Sequence, residues 1–164
     1  MSMRWAVESR ENGHMVRISG SITEEADLHA LVALGQGKDL RLDLAGVDEI
    51  NSCGVREWIR FVRRVSETAS DLELVRCSPA IVRQLNMVSN FRGSGRVTSV
   101  MLPYYCDACG AEQERYLELG GADAPPEIQE TVACERCGEQ AEFDDLPDSY
   151  MGFIGLLPAG RVGR

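Results

Sequence analysis

"DLRLDLAGVDEINSCGVREWI", residues 39–59, decides the fold. Its first half alternates, with Leu40, Leu42 and Leu44 set against Arg41 and Asp43, which is the period of a strand with one buried face. Beyond residue 54 the period changes. Val55, Trp58, Ile59, Val62 and Val65 recur at helical spacing, so an amphipathic helix follows directly. Ser52 therefore sits where a strand ends and a helix begins, and a serine there has two readings. Its hydroxyl can cap the helix, contributing about 1 kcal/mol. Alternatively it can carry a phosphate, because free amides and the helix dipole favour an anion at that end.

Working outward, the two periods keep alternating. "HMVRISGSI" (14–22) reads as a strand that ends near Gly20. Thr23 is the expected N-cap of a helix with Glu24 and Glu25 in its first turn, Leu28, Leu31 and Val32 on its apolar face, and Gly35 as its C-cap. "DLELVRC" (71–77) is another strand, after which Ser78 and Pro79 open a helix carrying Ile81, Val82, Leu85 and Val88. "RVTSVML" (96–102) is read as the last strand and "MRWAVE" (3–8) as the first. The order β-β-α-β-α-β-α-β predicts an α/β fold, a mixed sheet with helices packed on it.

The charge is unevenly placed. Residues 1–103 hold 13 Lys+Arg against 13 Asp+Glu, whereas residues 104–150 hold only Arg115 and Arg136 against 13 acids. A break near residue 103 divides the chain into an α/β domain (1–103), an acidic unit (104–150) and an apolar tail (151–164). The tail segment "YMGFIGLLPAG" (150–160) is too short to cross a bilayer and is expected to cover the acidic unit or to join an interface. The opening MSMRWAVESR is interrupted by charges, so a signal-peptide core is absent and a cytoplasmic location is expected.

Four of the six cysteines lie in the acidic unit, as "CDACG" (106–110) and "CERCG" (134–138). Two C-x2-C pairs of this kind aim Cys106, Cys109, Cys134 and Cys137 at one ion, and the pattern predicts a single structural Zn²⁺ in a zinc ribbon. "QERYLEL" (113–119) and "IQETVA" (128–133) are the expected ribbon strands, separated by the loop "GGADAPPE". Two disulfides would need an oxidising compartment, and a redox C-x2-C would not need the second pair. With four thiolates the ion has no open position for a catalytic water. A segment this poor in apolar residues depends on its metal to fold. Its negative charge also argues against nucleic acid, since phosphate backbones are bound by Lys and Arg. A protein with a basic patch suits it better.

Three segments together resemble the STAS domain, the family of bacterial anti-sigma factor antagonists: "VRISGSI", "LRLDLAGVDEINSCGV" and "LELVRCSPAIVRQL". The likeness covers roughly residues 3–102 and is most specific at Asn51, Ser52, Cys53 and Gly54, where the family has an aspartate, a serine, a small residue and a glycine. It implies a β core with helices on one face and no catalytic machinery. It further implies that Ser52 is phosphorylated by a partner ATPase-type kinase, an anti-sigma factor, and that phosphorylation releases the partner. Asn51 departs from the usual aspartate, keeping its shape and removing its charge. The closing helix of the family is not legible, and the ribbon stands in its place.

Arg56, Arg60, Arg63 and Arg64 fall near one side of the helix after Ser52 and are candidates, with Asn51, for partner binding. The chain is thus read as a non-enzymatic regulator in signal transduction and transcription control. The alternative is a constitutive scaffold or assembly subunit in which Ser52 only caps its helix. His14 and His29 lack spaced partners, Cys53 and Cys77 lack paired spacing, and Trp58 falls on an apolar helix face, so all are read as structural. Neither a phosphate-cradling glycine loop nor a nucleophile with a spaced base occurs.

Overall fold

A computed structural model of the chain describes residues 2–120 and 126–156. Most of the expected loop "GGADAPPE" and the tail beyond residue 156 lie outside the described residues. The elements run β1 (Arg4–Arg10), β2 (Gly13–Ile22), α1 (His29–Gly35), β3 (Asp39–Ile50), α2 (Ser52–Thr68), β4 (Asp71–Val75), α3 (Pro79–Met87), β5 (Arg96–Val97), β6 (Ser99–Tyr105), β7 (Glu112–Glu118), β8 (Thr131–Ala133), β9 (Gln140–Phe143) and α4 (Pro147–Tyr150), then a 3₁₀ turn over Gly152–Leu156. The molecule is a mixed α/β protein with two sheets and four α-helices.

The first sheet is ordered β1-β2-β3-β4-β5, with β1 antiparallel to β2 and the remaining pairs parallel. Its parallel strands are joined in sequence order, and right-handed crossovers then put all three helices on one face. Leu40, Leu42 and Leu44 of β3 and Leu72 and Leu74 of β4 are buried on that side. Trp58 of α2 is fully buried, stacks on Phe91 with ring centroids 5.5 Å apart, and donates its indole N–H to the Phe91 carbonyl at 2.9 Å. The opposite face is charged: Arg41 pairs with Glu73 at 3.1 Å, Arg96 with Asp71 at 2.7 Å, and the buried Asp43 lies 3.8 Å from Arg17 and 3.7 Å from Arg76.

Three elements differ from the sequence reading. The first helix starts at His29, not after Thr23. Thr23 instead closes a turn, its hydroxyl accepting from the Glu25 amide and its carbonyl from the Ala26 amide, and the Asp27 carboxylate takes the His29 amide. Short polar side chains here compete with the helix for backbone donors. The strand expected over 96–102 is two strands: β5 ends at Val97 beside β4, and β6 joins the second sheet, ordered β7-β6-β9-β8. Arg76 makes this handover. Its backbone is left-handed (φ 50°), and its amide donates to Ser99 Oγ at 2.7 Å, turning the chain after β4 onto β6, where Cys77 bridges Val100. Last, the strand expected over 128–133 contracts to β8, and β9 is an element the sequence reading did not foresee.

β6 runs unbroken through residue 103 and packs into a hydrophobic cluster continuous from Leu42 and Leu74 through Val100, Leu102 and Tyr104 to Val132 and Ala141. The described part of the apolar tail seals this seam. Tyr150, Met151, Phe153 and Ile154 are buried, Tyr150 Oη donates to the Met101 carbonyl at 2.6 Å, and Asn86 of α3 donates to the Tyr150 carbonyl at 3.1 Å. No helix among the described residues is long and apolar enough to cross a membrane.

Candidate metal centre and the turn at Asn51

Each cysteine pair sits on a tight knuckle, and the two knuckles are alike. In the first, the Gly110 amide donates to the Cys106 carbonyl at 2.7 Å and the Cys106 amide to the Ala111 carbonyl at 2.9 Å. In the second, Gly138 donates to Cys134 at 2.9 Å and Cys134 to Glu139 at 2.6 Å. Gly110 (φ 75°) and Gly138 (φ 81°) occupy the left-handed conformation that closes these turns, which a side chain would strain.

The knuckles bring the ligand atoms of Cys106, Cys109, Cys134 and Cys137 within 4.8 Å of one another. Cys106 and Cys137 sulfurs are 3.5 Å apart and those of Cys109 and Cys134 3.7 Å. A tetrahedral ion with metal–sulfur bonds of about 2.3 Å requires edges of about 3.8 Å, so the cluster fits one. All four thiols are free. Amide donation, from Cys137 first and then Arg136, brings the Cys134 thiol down to about 6. Cys137 is exposed and the Glu139 amide lowers its thiol, yet the lost solvation within the cluster and the three sulfur neighbours push it up to about 12. Such close thiolates repel, and a divalent cation between them removes the conflict. The cluster can therefore bind a metal ion.

The turn before α2 is not capped by Ser52. Asn51 is the N-cap: its Oδ1 accepts from the Gly54 amide at 2.7 Å, while its Nδ2 donates to Glu24 Oε2 at 3.1 Å. Ser52 is the first residue of α2, exposed, with a hydroxyl that makes no hydrogen bond to the described residues. Gly54 explains the need for a small residue, since a Cβ there would stand 2.0 Å from the Ile22 carbonyl oxygen. That oxygen also accepts from the Asn51 amide at 3.2 Å, so the end of β2 and the start of α2 are clamped together.

Arg56, Arg60, Arg63 and Arg64 are all exposed. At 1.5 Å per residue, Arg63 lies about 16 Å along the helix from Ser52, so the four are not gathered round the serine. Arg60, Arg63 and Arg64 instead rim a hollow of about 370 Å³ between α1 and α2, with Asp27 and Glu57, and Arg60 pairs with Glu57 at 3.2 Å. A second hollow, of about 310 Å³, lies beside Asn51 at the carboxyl ends of β2 and β3 and is lined by Ser21, Asp48, Arg83 and Gln84 among others. Sequence reading missed Arg83. Its distance of 31 positions from Ser52 hides it, although its place one turn into α3, a helix recognised from Ser78 and Pro79, was the available signal.

His14 is half-buried with an unpartnered Nδ1, and His29 is exposed. Cys77 is fully buried, and burial, reinforced by Asp43, raises its thiol far above the ordinary range, so it is inert. No protein-family model matches the chain, and no curated protein matches it.

Proposed function

We propose that the protein is a non-enzymatic, STAS-like protein-binding module whose partner choice is set at Ser52, with a structural Zn²⁺ held by Cys106, Cys109, Cys134 and Cys137. The observation that carries the reading is the division of labour at residues 51 and 52. Asn51 takes the capping role, which leaves an exposed hydroxyl at the positive end of a 17-residue helix with no structural duty. A phosphate there would add about −1.5 to −2 charges next to the free amides of the first turn. The sheet order, its single antiparallel edge strand and the three helices on one face support the STAS resemblance. An all-thiolate set suits Zn²⁺ better than harder, oxygen-seeking cations. Bound there, the ion supplies folding energy, and the chain's own glycine knuckles orient the sulfurs. The acidic surface around the ribbon is a second docking face, for a basic protein patch.

Capture of partners from native lysate with the wild-type chain, Ser52→Ala and Ser52→Asp, read by mass spectrometry, tests this. An ATPase-type anti-sigma kinase recovered with the first two baits and lost with Asp is the expected result. One partner set common to all three refutes the switch and makes the chain a constitutive scaffold.

A further inference from the structure

Of the four sheet edges among the described residues, three are blunted. β5 is two residues long, β8 three, and β7 (EQERYLE) carries three glutamates. Short or charged edges discourage pairing with another chain. β1 is different: its three charges, Arg4, Glu8 and Arg10, are of mixed sign rather than mostly one sign, it lacks proline and lysine, and every residue of it is exposed. Trp5 and Val7 pair across β2 with the core residues Ile18 and Val16, so they share the helix-bearing face of the sheet. The helices leave them 40% and 38% exposed.

The backbone of β1 is poised for a partner strand. Arg10 and Gly13 flank a two-residue turn and form the hydrogen-bonded closing pair of the β1–β2 hairpin. Hydrogen-bonded and non-hydrogen-bonded pairs alternate, so the even residues of β1 bond to β2. Residues 5, 7 and 9 then point their N–H and C=O groups at the open edge.

We propose that two copies of the chain pair their β1 strands antiparallel about a two-fold axis at Ala6, giving one ten-stranded sheet. In this register Arg4 faces Glu8 of the second copy, Trp5 faces Val7, and Ala6 faces Ala6; symmetry repeats each contact. Both opposite-charge and aromatic–aliphatic cross-strand pairs are favourable. Shifting the axis to Val7 sets Arg4 against Arg10, a like-charge pair, and shifting it to Trp5 sets Arg4 against Ala6 and Glu8 against Ser2, which forfeits the opposite-charge pairs, so charge favours the register about Ala6. The contact is isologous and closes as a dimer. It leaves Ser52 and the metal cluster free, and it is independent of the reading given to either.

Sedimentation equilibrium of the metal-loaded full chain, up to about 300 μM, is the test, because an edge-strand interface falls in the weak, micromolar class. A reversible dimer is expected. Val7→Pro removes an N–H that only the dimer uses, and should weaken association at least about tenfold while leaving circular dichroism unchanged. Arg4→Glu should weaken it similarly, and Arg4→Glu with Glu8→Arg should restore it. Ala6→Cys should yield a disulfide-linked dimer on mild oxidation, since facing Cα atoms of a non-hydrogen-bonded pair lie about 4.5 Å apart, within disulfide reach. The unsubstituted chain, whose Cys53 is half-buried, is the control. A monomer throughout overturns the proposal. So does a dimer indifferent to Val7→Pro, or one that Ala6→Cys fails to link.

Discussion

Replacing Asn51 by alanine should destabilise the protein, and replacing Ser52 should not. The Asn51 side chain gives the Gly54 amide its acceptor at 2.7 Å, and Gly54 is buried against the end of β2. Loss of an N-cap costs about 0.5–2 kcal/mol, and a desolvated donor left without a partner belongs in the upper half of that range, near 1.5 kcal/mol. For a chain of this size each kcal/mol moves Tm by about 2–4 °C, so Asn51→Ala should lower it by about 3–6 °C. Ser52→Ala removes a hydroxyl with no hydrogen bond among the described residues and installs a better helix former, so its shift should stay within about 0.5 kcal/mol. Asn51→Asp keeps the acceptor and gains from the helix dipole, but it sets a second carboxylate against Glu24 where Asn51 donated at 3.1 Å, so it should fall between wild type and Asn51→Ala. Thermal unfolding followed by circular dichroism at neutral pH, with metal saturating, measures all three. If Ser52→Ala cost as much as Asn51→Ala, the serine would be the cap and the basis for treating it as a free hydroxyl would fall.

Three further outcomes follow from the packing. Gly54→Ala should cost more than Asn51→Ala despite alanine's helix propensity, because the new Cβ meets the Ile22 carbonyl oxygen at 2.0 Å and its carbon at 2.6 Å, both rigid backbone; a neutral result in urea unfolding would contradict the close approach. Cys109→Ser should reduce bound metal from one ion per chain by elemental analysis. It should also lower the thermal stability of the whole molecule, since β6 belongs to one continuous core; a separate, unaffected transition for the first sheet would oppose this. Burial, with Glu114 and Cys77 nearby, raises the Tyr150 hydroxyl above its ordinary 10.0, so the neutral phenol is favoured in the folded state. The stability it contributes is fully present below about pH 10 and is lost as pH rises beyond that, when only the unfolded chain ionises. Tyr150→Phe should lose roughly 1–3 kcal/mol at neutral pH, through the orphaned Met101 carbonyl, and should flatten the alkaline decline.

How far the sequence carries depends on whether the signal is local. The alternation of Leu40, Leu42 and Leu44 and the helical spacing from Val55 to Val65 are periodic, and both elements form where the period places them. The cysteine spacing was legible for the same reason, since each knuckle is a property of five neighbouring residues. What was not legible depends on remote partners. "RVTSVML" looks like one strand because period cannot tell which sheet a strand joins; the division after Val97 depends on Arg76 and Ser99, 23 positions apart. Thr23 has the chemistry of a cap and is used in a turn, because Asp27 offers a competing acceptor downstream. At residues 51 and 52 both side chains can cap, and only the placement of Gly54 against Ile22 decides between them.

The tail that seals the seam also sets an order of events for a chain leaving the ribosome. The helix α3 is made early, yet part of what packs on it, Tyr150 to Ile154, is made well after it. The first sheet can therefore emerge and begin to collapse while its flank is still bare. The chain must wait for about sixty more residues, and for whatever ion gathers the knuckles, before that flank closes. A nascent chain stalled or cut between residues 105 and 145 would present α3 and β6 uncovered, the state in which a chaperone or a protease would meet it.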